Sequence, residues 1–161
     1  MRKRVIALLP GDGIGPEVVG EARRVVEAVG ERCGFGVEWV SFPFGAGYWK
    51  SHGETLPDSA LGELEKCEAL LLGAVGDPSV KPGILERGIL LRLRFHFDQY
   101  INLRPARSYP GVALPVRLPE GRRIDSVVVR ENTEDFYMGL GAVSEEGKVD
   151  APFACERGLY S

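Results

Sequence analysis

The sequence predicts an α/β fold with a parallel sheet and helices packed on its faces. Three observations predict it. The runs Arg4-Val-Ile-Ala-Leu-Leu9 and Glu68-Ala-Leu-Leu-Leu-Gly73 have the length and apolar continuity of strands buried on both faces. Each leads into a glycine-rich turn. Between them lies a stretch of helical periodicity, and a β-α-β-α-β order requires parallel pairing through crossover helices.

Each element has its own signal. The first strand gives way to Pro10-Gly-Asp-Gly-Ile-Gly15, and Pro16 stands where a helix tolerates a missing N–H. From Glu17 to Arg32 the positions Val18, Val19, Ala22, Val25, Val26 and Val29 follow helical spacing, and Gly34 and Gly36 end the run. Val37 to Phe44 alternates as a second strand. Asp58 is placed to cap a helix reaching about Lys66. Beyond Pro82 a helix is predicted from Ile84 to about Phe97, then a strand from Tyr100 to Ala106. Tyr109-Pro-Gly111 and Leu118-Pro-Glu-Gly121 read as turns, Ile124 to Arg130 as a strand, and Tyr137 to Val143 as a further short one.

Composition narrows the function classes. The 161 residues are 44% hydrophobic and 27% charged with a formal net charge of −3, the balance of a globular protein without the basic surface of a general nucleic-acid binder. No apolar run approaches the roughly 18 residues of a membrane span. The basic start, Met1-Arg-Lys-Arg4, is followed by an apolar stretch that ends at Pro10, too short for a secretory signal, so a cytoplasmic protein is expected. Cys33, Cys67 and Cys155 form no CxxC pair and are read as reduced thiols. His52 and His96 have no nucleophile or metal motif beside them and are given no role.

The chemistry gathers on glycines and arginines. Gly11-Asp-Gly-Ile-Gly15 and Gly73-Ala-Val-Gly-Asp-Pro78 both follow strands, where ligands collect in open α/β sheets. The first is not the dinucleotide fingerprint, whose third glycine lies one residue further on. Between Arg87 and Arg107 stand five arginines, at 87, 92, 94, 104 and 107, against one acid, Asp98. Planar guanidinium groups suit bidentate capture of carboxylate or phosphate. For Arg92 and Arg107 a solvated face is the favoured reading. Arg87 and Arg94 are seven apart and share one face of an α-helix, with Leu90 and Leu91 between them. Arg104 and Arg130 each end an apolar strand and need a counter-ion, either an acid such as Glu131 or Glu134 or an anionic ligand. Tyr137, beyond a polar loop, becomes a candidate acid if cations lower its pKa.

Four segments together resemble the β-decarboxylating dehydrogenases, the group holding isopropylmalate, isocitrate, homoisocitrate, tartrate and D-malate dehydrogenases. They are Leu9-Pro-Gly-Asp-Gly-Ile-Gly-Pro-Glu-Val18; Leu72-Gly-Ala-Val-Gly-Asp-Pro78; Leu93-Arg-Phe-His-Phe-Asp-Gln-Tyr-Ile-Asn-Leu-Arg-Pro105, which holds Arg94 and Arg104; and Val129-Arg-Glu-Asn-Thr-Glu134 with Tyr137. They occur in the family's order and cover nearly the whole chain.

The resemblance implies the isocitrate/isopropylmalate dehydrogenase-like fold, distinct from the Rossmann fold and incomplete here, with residues 1–98 in a large domain and 99–161 beginning a small one. It implies that Arg94, Arg104 and Arg130 clamp the carboxylates of a malate-type substrate, that Leu90 and Leu91 help read its side chain, and that Tyr137 protonates the enolate left by decarboxylation. Ile14 and Gly73, Ala74, Val75 and Gly76 would lie along NAD. A divalent ion, Mg2+ or Mn2+, would be held by residues beyond this chain. An apolar Gly88-Ile-Leu-Leu91 favours 3-isopropylmalate, a leucine-biosynthesis substrate, over isocitrate, since burying an isopropyl group gains about 1.5–3 kcal/mol whereas a third carboxylate would be desolvated. D-malate, tartrate and, through Arg92, homoisocitrate are the alternatives. Another class of reading is a non-catalytic dicarboxylate- or nucleotide-binding fragment. The family's members are longer, and a catalytic lysine reaches each site from the partner subunit of a homodimer. The 161 residues alone are therefore expected to be inactive.

Overall fold

The computed structural model of the chain describes residues 3–134 and the backbone of 140–143 and 154–157. The chain divides after His96 into two compact units, Met1–His96 and Phe97–Ser161.

The first unit is built on a parallel three-stranded sheet. Strand β1 (Lys3–Gly11) is central, flanked by β2 (Gly36–Ser41) and β3 (Ala69–Ala74). The register runs from Lys3↔Gly36 to Leu8↔Ser41 on one side and from Ile6↔Ala69 to Gly11↔Ala74 on the other. Being paired on both edges, β1 buries Ala7, Leu8 and Leu9, which explains its uninterrupted apolar sequence. The second strand stops at Ser41 rather than Phe44 because Pro43 has no N–H to continue the ladder.

Helix α1 (Gly15–Cys33) crosses all three strands. Its sheet-facing positions are Val19, buried, with Ala22 and Val26 half-buried at the i, i+3, i+7 spacing of one helical face. Val18, Val25 and Val29 of the predicted apolar stripe are exposed, so that stripe is wider than the sheet covers. Gly34 closes the helix in the left-handed region at φ 79°, its N–H bonded to the Gly30 carbonyl at 2.9 Å.

Helix α2 (Ala46–His52), absent from the sequence reading, follows, then α3 (Asp58–Leu64). Asp58 does not cap α3: Pro57 holds that position, and Asp58, the first helical residue, turns its carboxylate to Arg92. The predicted helix from Ile84 to Phe97 is in two parts. Glu86–Leu91 is a π-helical segment with i→i+5 bonding, and α4 (Arg92–His96) continues from it. Leu85, Ile89 and Leu93 anchor this rod in the core with Leu56, Leu61, Leu64 and Val80.

In the second unit β4 (Ile101–Arg107) and β5 (Asp125–Glu131) form an antiparallel ribbon, in register from Ile101↔Glu131 to Arg107↔Asp125. Ser108 closes its far end, donating its N–H to the Ile124 carbonyl at 2.9 Å and accepting the Ile124 N–H at 3.0 Å. A second antiparallel pair joins β6 (Leu140–Val143) to β7 (Ala154–Arg157).

Candidate functional site

Two neighbouring turns leave the sheet at the carboxyl ends of β1 and β3, and their glycines are required first by packing. A Cβ on Gly11 would lie 2.0 Å from the Ala74 carbonyl oxygen; one on Gly15 or Gly73 would lie 2.1 Å from that of Pro10. Backbone therefore touches backbone here, which only glycine permits. Gly13 and Gly76 differ. Both adopt positive φ, 55° and 144°, and neither has an atom within 4 Å of where a Cβ would stand. Beside Gly13, Ile14 holds the N-cap position of α1 with 64% of its surface exposed. Gly13, Ile14 and Gly76 thus form an open lip with an apolar edge.

Asp12 joins these turns. Its N–H donates to the Ala74 carbonyl at 2.7 Å, and its own carbonyl accepts the Gly15 N–H at 2.8 Å. Its carboxylate accepts the Ala46 N–H at 2.7 Å through Oδ1 and the Gly76 N–H at 3.1 Å through Oδ2. Gly45 is needed beside it, since a Cβ there would come within 2.6 Å of Oδ1. Further along the second turn, Lys50 of α2 pairs with Asp77 at 3.0 Å. The Ser79 hydroxyl and N–H, followed by Lys50, hold the Asp77 carboxyl down at about 2.

The π-helical segment carries Leu90 and Leu91, and Arg94 follows one turn later on α4. Leu90 is exposed, Leu91 and Arg94 half-buried, and the preceding Ile89 fully buried. Arg87 stands in the π-helical segment and Arg94 in α4, and because a π turn takes more residues than an α turn, the seven-residue spacing no longer amounts to two turns. Arg87 lines an open groove of about 850 Å³ with Trp49, Glu54, Thr55, Lys81 and Ile84. Thr55 fixes one wall by donating to the Gly88 carbonyl at 3.1 Å, and a Cβ on Gly88 would meet its hydroxyl at 2.2 Å.

Other cations and histidines are structural. Arg92 binds the Leu56 carbonyl and Asp58. Arg107 pairs with Asp125, its partner across the ribbon, at 3.2 Å. His96 Nε2 lies 2.8 Å from Glu65, and the His52 ring stacks on Tyr48 at 4.1 Å.

Arg104 and Arg130 are brought together by register. Arg130 pairs with Asn102 and Arg104 with Val128, so the arginines are diagonal neighbours on one ribbon face, with Cα atoms roughly 7–8 Å apart. The strand residues of that face are Asn102, Arg104 and Ala106 with Ser126, Val128 and Arg130, and none is acidic. The Arg104 side chain makes no hydrogen bond or ion pair among the described residues. Arg130 has a partner of its own, and the two charges repel by only about 0.5 kcal/mol in water.

Glu131, one expected counter-ion, lies on the other face and serves the turn that follows. Burial pushes its carboxyl up, but bonds from the Thr133 hydroxyl and from the N–H groups of Thr133, Glu134 and Asn132 outweigh this and hold it at about 2. Buried Asn132 accepts from Asn102 and donates to the Gln99 carbonyl, both at 3.4 Å, tying the end of β5 to the start of β4. Sequence reasoning missed Asp12 and Asn132. Tyr137 lies outside the described residues.

Among the described residues no three His, Cys, Asp or Glu side chains gather as a metal site requires. No described helix is long and apolar enough to cross a membrane.

Comparison with known proteins places these features in context. The profile of a family described as isocitrate/isopropylmalate dehydrogenase matches residues 5–161. A 3-isopropylmalate dehydrogenase of Thermobifida fusca is 51% identical over 142 residues, 88% of this chain and 40% of that protein. One from Saccharopolyspora erythraea is 51% identical over 162 residues, 94% of this chain and 45% of that protein. The crystal structure of isocitrate dehydrogenase from Methylococcus capsulatus superposes with a TM-score of 0.77 at 28% identity, covering 98% of this chain and 43% of that one. A β-decarboxylating dehydrogenase from Thermococcus kodakarensis gives 0.65 at 32% identity, covering 98% and 41%. The chain spans less than half the length of the relatives it matches.

Proposed function

Because the chain belongs to the isocitrate/isopropylmalate dehydrogenase family, we propose that it carries the substrate arginines and one wall of the cofactor site of an enzyme that oxidatively decarboxylates a 3-substituted malate. The substrate favoured is 3-isopropylmalate. The observation that carries this reading is the pair Arg104 and Arg130 on one acid-free face of the β4–β5 ribbon. Two forked guanidinium groups at that spacing match the carboxylates of a small dianion, with Arg94 as the third cation of the set.

NAD, when bound, accepts the hydride from C2 of the substrate. The open lip formed by Gly13, Ile14 and Gly76 fits the approach of such a cofactor, because the two glycines have no side chain to displace and Ile14 offers an apolar one. The arginines hold the substrate by its carboxylates in one orientation, from which its C3 carboxylate can leave as carbon dioxide. Loss of the hydride from C2 and of the hydroxyl proton to water leaves a C2 carbonyl. The bond from C3 to that carboxylate then breaks, its electrons form the C2–C3 enolate, and Tyr137 gives C3 a proton as the carbonyl re-forms. Mg2+ or Mn2+ would be held, as the family resemblance implies, by residues beyond this chain in a homodimer, and no step here runs through it. The setting proposed is the cytoplasm.

Leu90 and Leu91 supply the apolar surface for the isopropyl group, worth about 1.5–3 kcal/mol on burial. The commitment of Arg92 to Asp58 and Leu56 argues against homoisocitrate, whose longer chain would call on that cation. Calorimetric titration of the protein with 3-isopropylmalate, D-malate, tartrate, homoisocitrate and NAD, with and without Mg2+, tests the reading. Preference for 3-isopropylmalate together with NAD binding supports it. Tighter binding of D-malate or tartrate moves the substrate, and dicarboxylate binding with no NAD binding leaves a non-catalytic module.

A further inference from the structure

We propose that Asp12 is a positioning residue for the nucleotide wall, setting the spacing of the two glycine turns through backbone hydrogen bonds without touching the cofactor. The inference rests on the reading that these turns receive NAD. Three chain segments meet at this side chain: the β1 turn to which it belongs, the β3 turn through Gly76, and the start of α2 through Ala46. The two N–H groups belong to different segments, 64 and 34 residues away in sequence, so one carboxylate fixes two otherwise independent backbones. An ionised carboxylate accepting two N–H bonds is a strong and directional tie.

The flanking glycines set how this tie reaches the lip. Gly13 follows Asp12 directly, and Gly76 is the residue it holds; these are the two turn glycines with open space at the Cβ position. Displacing either shifts the surface offered to a ligand. Helix α2 gains its N-terminal acceptor from Asp12, since its own cap, Gly45, has no side chain to offer. Asparagine at position 12 would keep an oxygen for Ala46 but turn an amide N–H2 toward the Gly76 N–H, breaking one bond and leaving the side chain's size unchanged.

The test compares wild type with Asp12→Asn by calorimetry with NAD and with 3-isopropylmalate, and by hydrogen exchange at the Ala46 and Gly76 amides. NAD affinity should fall tenfold or more, dicarboxylate affinity should stay within twofold, and exchange at Gly76 should rise at least tenfold. Unchanged NAD affinity in the variant, or equal weakening of both ligands, overturns the inference. Should the variant not fold, wild type decides: saturating NAD should slow exchange at Ala46 and Gly76 together, and unchanged exchange at Ala46 counts against the tie. If wild type binds no NAD while the variant still exchanges faster at Gly76, the cofactor reading has failed and the inference falls with it, although the hydrogen-bond geometry stands.

Discussion

Arg92 reaches across the first unit to the carbonyl of Leu56, a fully buried residue, at 2.5 Å, and its outer nitrogen meets Asp58. The two bonds differ in worth. Asp58 is 94% exposed, so its ion pair is screened by water and contributes about 0.5 kcal/mol. The charged bond to a carbonyl sheltered from solvent contributes about 1–2 kcal/mol. Urea unfolding should show Arg92→Leu destabilised by that larger amount and Asp58→Ala by the smaller, with dicarboxylate affinity unchanged in both. A loss of affinity in Arg92→Leu without a loss of stability would assign Arg92 to the ligand.

The glycine turns make a second contrast. Gly73→Ala puts a Cβ 2.1 Å from the Pro10 carbonyl and 2.9 Å from Val19, so the turns must part, at a cost of about 3 kcal/mol or more. Gly13→Ala meets nothing within 4 Å and bears only the left-handed backbone, about 1–2 kcal/mol. Denaturant midpoints rank the two variants. Equal losses would mean that backbone contact between the turns does not govern the junction.

Acid should loosen both loops in one pH window. Asp77 and Glu131 are held at about 2, below the ordinary 3.8 and 4.5. The unfolded chain therefore binds protons first, and the stability they contribute is full above those ordinary values and is lost as pH falls toward 2. The Ser79 and Thr133 amide resonances should titrate with midpoints near 2, and Thr133→Ala should move the Glu131 midpoint upward. Midpoints near 4 in wild type would contradict the hydrogen bonding described.

The parts legible in sequence are those where local chemistry and tertiary packing agree. The three strands of the first sheet combine apolar runs with glycine stops, and α1 combines Pro16, helical spacing and Gly34, so the parallel sheet was readable. Helix α2 was not, because Ala46-Gly-Tyr-Trp-Lys-Ser-His52 carries a glycine and draws its cap from Asp12, distant in sequence. The π segment was hidden because six residues are too few to separate its period from that of an α-helix, so the spacing of Arg87 and Arg94 was read on α-helical geometry alone. Arg104 and Arg130 read in sequence as the ends of buried strands, but Arg104 stands mid-strand in β4 and the apolar residues of both strands are exposed; their shared face depends on a register that no local signal sets.

The shared face also bears on salt. Two arginines meeting a dianion in an exposed site are screened by added ions, so 3-isopropylmalate affinity should fall as ionic strength rises, over a Debye length shrinking from about 10 Å at 0.1 M to 3 Å at 1 M. Calorimetry across that range checks it. Affinity independent of salt would place the ligand on apolar surface instead.

The most direct measurement is the affinity for 3-isopropylmalate in wild type, Arg104→Gln and Arg130→Gln, and in the double variant. If both guanidinium groups grip one dianion, each single change weakens binding at least tenfold and the double variant loses less than the product of the two, because contacts that share a ligand are not independent. Wild-type affinity in Arg104→Gln would contradict the assignment of that face to the substrate.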